Sequence, residues 1–129
     1  MKKVSFLAAL ILLVMIPISA FSEPYDKDAV VLAMRANQAR IGVIKTAVAN
    51  NDFFKAGQAF FDYASQAARM QAMDPPKGSR DDWVRLWNLF QDKAFLGIGA
   101  CGERDAAKVL KALDEVVAVN KIGHPEFRF

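Results

Sequence analysis

The residues of this 129-residue chain with the most chemical potential are its one histidine, His124, and a methionine near the other end, Met34. His124 follows Val117 by two helical turns, on an expected apolar stripe of Leu110, Leu113, Val117, His124 and Phe127, and this register predicts that it faces the core. An imidazole in an apolar core needs a partner for each nitrogen, or it costs about 1–3 kcal/mol. A metal is one such partner. Met34 falls on an apolar stripe of its own, and its thioether is a soft ligand that suits haem iron. A sulfur and an imidazole meeting from opposite sides would hold a haem between them. The plain alternatives are a packing methionine and a histidine bonded to a carbonyl. Met70 ranks second as a sulfur ligand.

These side chains need helices to place them. Nothing in the chain alternates with period two, and Ala, Val, Leu and Lys dominate, which predicts an all-α fold. A first helix is expected from about Asp28 to Ala49, with Val30, Met34, Ile41, Ile44 and Val48 inward. Asp52 caps a second helix that reaches Met73. Asp74-Pro75-Pro76-Lys77-Gly78 cannot continue it. Ser79, with Asp82 three residues on, opens a third helix carrying Trp83, Leu86, Trp87, Phe90 and Ala94. Gly97, Gly99 and Gly102 are expected to loosen its end, and a fourth helix starts near Asp105. Four such helices with short links predict an up-down-up-down antiparallel four-helix bundle. That topology gathers Met34, Met70, Trp83, Trp87 and His124 at one end and leaves Cys101 at the other.

The start of the chain reads differently. Lys2 and Lys3 precede an apolar run from Val4 to Ile16, Pro17 breaks it, and Ala20 and Ser22 are small. This is the pattern of a secretory signal peptide over residues 1–22, leaving 23–129 as one domain in the periplasm with no stable membrane anchor. Without Lys2 and Lys3 the 17 basic side chains become 15 against 14 acidic ones, a net charge of +1. No basic block remains, so nucleic-acid binding is not expected. A lone cysteine makes no internal disulfide. One histidine with no cysteine near it, and no acidic cluster on an inward face, leave no hydrolytic triad or metal-carboxylate set, so no enzyme is expected.

The expected surroundings suit a flat apolar cofactor. Ala64, Ala67 and Ala68 leave room, Trp83, Trp87 and Phe90 offer walls, and Arg128, one turn after His124, could pair with a propionate. Here the sequence resembles the soluble periplasmic four-helix cytochromes, of the cytochrome b562 and cytochrome c′ kinds. The resemblance is carried by Met34 with Val43-Ile44 nine residues later, by Pro75-Pro76-Lys77 after the second helix, and by the ending His124-Pro125-Glu126-Phe127-Arg128. It implies Met34 and His124 as axial ligands and Arg128 near the propionates. It departs at Asn120-Lys121-Ile122-Gly123-His124, where the c′ kind has Cys-x-x-Cys-His, so covalent attachment is excluded there. Pro125 is a second departure, expected to end the last helix early or re-aim the imidazole.

The resulting expectation is a haem protein that holds haem b non-covalently and exchanges electrons with periplasmic redox partners, as a monomer or homodimer. One alternative is a haem-free c′-like bundle serving as a binding or structural module. Another is a five-coordinate gas-binding haem protein in which Met34 only packs.

Overall fold

A computed structural model describes residues 22–127, and all four expected helices are present. They are α1 (Lys27–Ala49), α2 (Phe53–Ala72), α3 (Arg80–Gly102) and α4 (Ala106–Phe127). Each start has a local cause. The carboxylates of Asp26, Asp52 and Asp105 accept from Ala29 N, Lys55 N and Lys108 N, and Ser79 Oγ accepts from Asp82 N, all at 3.0–3.1 Å. Each cap satisfies a backbone donor that the first helical turn leaves open.

The α1–α2 and α3–α4 turns are built alike. Asn51 and Arg104 take left-handed backbone with φ of 55° and 56°. The next residue's N–H then reaches back to a carbonyl inside the preceding helix, Asp52 to Ala47 at 2.8 Å and Asp105 to Ala100 at 3.2 Å. Asp52 and Asp105 go on to cap the following helix, so each turn reverses the chain in very few residues.

Consecutive helices run antiparallel and close into a ring, with α2–α3 the most intimate seam and α1–α4 the slightest. Gly97 explains the intimacy of α2–α3. A Cβ there would lie 2.4 Å from the Phe60 ring, so only glycine lets that ring pack against the α3 backbone. The helix does not loosen here as expected. It continues through Gly97 and Gly99 to Gly102, because burial of Phe60 against Gly97 outweighs a propensity cost of about 1 kcal/mol per glycine.

The α2–α3 link closes one end of the bundle. Glu23 pairs with Met73 through Glu23 N to Ala72 O, 2.9 Å, and Asp74 N to Glu23 O, 2.7 Å. Phe127 is fully buried against Trp83, ring centroids 5.0 Å apart. Pro125 does not end α4 early, since the helix runs on to Phe127. The proline costs one hydrogen bond in the final turn, and burial of Phe127 compensates. Among the described residues no helix is long and apolar enough to cross a membrane.

Candidate functional site

The aromatic residues expected to wall a cofactor slot fill the core instead. Trp83, Trp87 and Phe90 are all buried. Trp83 meets Trp87 edge-on at 5.3 Å, Trp87 meets Phe90 at 5.5 Å, and Tyr63 meets Phe90 at 5.6 Å. Trp83 donates to the carbonyl of Met70 at 2.8 Å, so Met70, itself buried, belongs to the same packing unit. Trp87 Nε1 is buried without a hydrogen-bond partner. Ala64 and Ala67 are buried and give these rings their room, whereas Ala68 is exposed.

His124 is exposed, contrary to the expected inward orientation. Two apolar stripes overlap on α4. The residues that turn inward are Val109, Ala112, Leu113, Val116, Val119, Gly123 and Phe127, while Leu110 and His124 lie outside that face. The cause is the docking of α3. Leu86 packs onto Gly123 so closely that a Cβ there would sit 2.6 Å from its Cδ2. That contact rotates the Gly123 face to the core and His124 onto the flank that looks toward α1.

On this flank His124 borders a cleft of about 160 Å³ between α1 and α4, with Asn37, Ile41, Tyr63, Asn120 and Lys121 among its other walls. Met34 is half-buried against the core, one turn from Asn37 along α1, and does not line the cleft. Arg128 lies outside the described residues.

A haem needs a flat slot open to an axial ligand on each side. The cleft is well below the roughly 300–1,000 Å³ of ordinary ligand pockets. Leu86 fills the space beside Gly123, the position of the second cysteine in the c′ pattern, and aromatic rings fill the space beyond. The residues in this arrangement do not fit a haem.

The cleft has a chemistry of its own, built around a residue that the sequence reading passed over. Asn37 is 4 % exposed and stands among apolar neighbours on the inward face of α1. Its carbonyl oxygen accepts from Tyr63 Oη at 2.9 Å, and its Oδ1 accepts from Arg40 at 2.7 Å. Arg40 also donates to Gln66 Oε1 and lies over the Tyr63 ring, 5.5 Å from its centroid. Burial pushes the Tyr63 hydroxyl up to about 12, with the Arg40 charge pulling weakly the other way, so it stays a donor.

A guanidinium can only donate. Arg40 therefore orients the Asn37 amide, with Oδ1 toward itself and Nδ2 away from it. Among the described residues that nitrogen has no protein acceptor, and it is not sealed from solvent. The signal for this site was present in the sequence as a polar residue interrupting an apolar stripe, with Arg40 three residues on.

Comparison with known proteins finds no family model, no curated protein and no solved structure that matches the chain.

Proposed function

We propose that this chain is a haem-free four-helix binding module, and that the α1–α4 cleft at Asn37 takes a small ligand through a hydrogen-bond acceptor such as a carboxylate. The observation that carries the reading is the buried Asn37 amide, aimed by Arg40 and left with an unused donor beside the cleft. Lys121 at the rim favours a negatively charged acceptor. The cleft admits only a few heavy atoms, so the ligand is a small acid or the terminal carboxylate of a larger molecule. With Tyr63 among its walls and no acidic residue among the described ones, the cleft supports binding rather than turnover.

Acetate and succinate titrations followed by NMR test this. The Asn37 side-chain amide is expected to shift saturably, and Asn37→Leu to abolish saturation at the neighbouring Tyr63 and Asn120 signals. Shifts that stay linear with concentration, or that survive Asn37→Leu, would overturn the proposal.

A second reading, the b-type electron-transfer protein with Met34 and His124 as ligands, has one observation in its favour. The α1–α4 seam on which His124 sits is the least packed of the four. It requires those two helices to part.

A further inference from the structure

The end of the bundle opposite His124 carries an unusual share of exposed apolar surface. Phe54 is 78 % exposed and Phe61 60 % on α2, and Phe95 is 54 % and Leu96 58 % on α3. Phe54 and Phe61 border the groove between α2 and α3, whereas Phe95 and Leu96 border the neighbouring groove between α3 and α4. Gly57 on α2 packs against Cys101 of α3, with 3.6 Å from a Cβ at 57 to that of Cys101, and Gly97 packs against Phe60. This antiparallel register sets Phe61 level with Leu96 and Gly97, and Phe54 level with Glu103 and Arg104. Between the two helices runs a groove of about 710 Å³ floored by Gly57, Ile98 and Gly102, with Phe54 and Phe61 as its outer wall.

We propose that this face is the two-fold interface of a homodimer, in which Phe54 and Phe61 of each protomer enter the α2–α3 groove of the other. A two-fold interface must be self-complementary, so one patch has to hold both the protrusions and the recess that receives them. This patch does. The two phenylalanines stand seven residues apart, about 10.5 Å along the helix, beside a groove whose glycines lower its floor.

Charge supports a second copy as the occupant. Asp62 lies at one end of the groove and Arg104 at the other, and Arg104 is held there over the Phe53 ring at 5.2 Å. A two-fold axis through the groove exchanges its ends, so each Asp62 meets the partner's Arg104.

Sedimentation velocity on the purified protein, across roughly 1 to 100 µM, tests the proposal. A monomer–dimer equilibrium is expected. Phe61→Lys, at an exposed position, should raise the dissociation constant at least about tenfold with helicity and melting of the monomer unchanged. Asp62→Arg should weaken the dimer, and the double exchange Asp62→Arg with Arg104→Asp should restore it. A wild type that stays monomeric at 100 µM overturns the proposal, as does a dimer indifferent to Phe61→Lys. A monomeric wild type that instead floats with neutral phosphatidylcholine vesicles would assign the face to lipid and overturn it equally.

Discussion

Gly97→Ala is the substitution that most sharply tests the packing of α2 on α3. In an isolated helix the change should help by about 1 kcal/mol, because glycine gives up more backbone entropy than alanine. Here the new methyl would lie 2.4 Å from two carbons of the Phe60 ring and 2.7 Å from a third. Phe60 is fully buried, so the ring cannot swing into solvent. Either α3 moves outward or Phe60 leaves its rotamer, and overpacking of this kind costs roughly 1–3 kcal/mol. Three ring atoms in close contact place this case at the upper end, for a net loss of about 2 kcal/mol. In a domain of this size that lowers the melting temperature by about 8–16 °C. Gly42→Ala is the matched control, since nothing lies within 4 Å of the methyl it would add in the middle of α1. It should raise the melting temperature by about 4–8 °C. Circular dichroism melts of both, with urea unfolding for the free energies, suffice. In the Gly97→Ala background, Phe60→Leu should cost less than it does alone, because it relieves the clash. If Gly97→Ala stabilised the protein as Gly42→Ala does, the close approach of the two helices would be refuted.

Tyr63 is held neutral well past the usual tyrosine range, up to about 12. Below pH 10 it is protonated in both folded and unfolded chains and its contribution is complete. From pH 10 upward the unfolded chain releases its proton first, so stability falls by up to about 2 kcal/mol as pH approaches 12. Urea unfolding of the wild type and Tyr63→Phe should show this loss only in the wild type, and parallel curves would contradict it. Cys101 is buried, and burial pushes its thiol up. Because the thiolate is the reactive form, iodoacetamide at pH 8 should label it at least about tenfold more slowly in buffer than in urea. Equal rates would place the thiol at the surface.

The helices and their ends were legible in the sequence because the signals are local. Asp52, Ser79 and Asp105 each cap within three residues, and the two prolines of the α2–α3 link act on their own backbone. The bundle topology followed from short links. The inward face of α4 was not legible, because 110/113/117/124/127 and 109/112/113/116/119/123/127 are both periodic and share Leu113 and Phe127. The choice between them was made by a contact from another helix, Leu86 onto Gly123. For the same reason Gly97 resembled a helix breaker until Phe60 was placed beside it. The Asn37 site was half legible. The polar interruption stood in the sequence, but its meaning depended on Tyr63, which comes from α2.

The resemblance to the four-helix cytochromes and the packing around Gly123 lead to opposite expectations, and haemin distinguishes them. The purified protein is titrated with haemin and its absorption spectrum recorded at each step, alongside Leu86→Ala, which empties the space beside Gly123. A closed core predicts no saturable low-spin Soret band in the wild type, whatever weak uptake Leu86→Ala allows. A stoichiometric low-spin band in the wild type, lost in His124→Ala and turned high-spin in Met34→Ala, would contradict the haem-free account and establish the electron-transfer reading in its place.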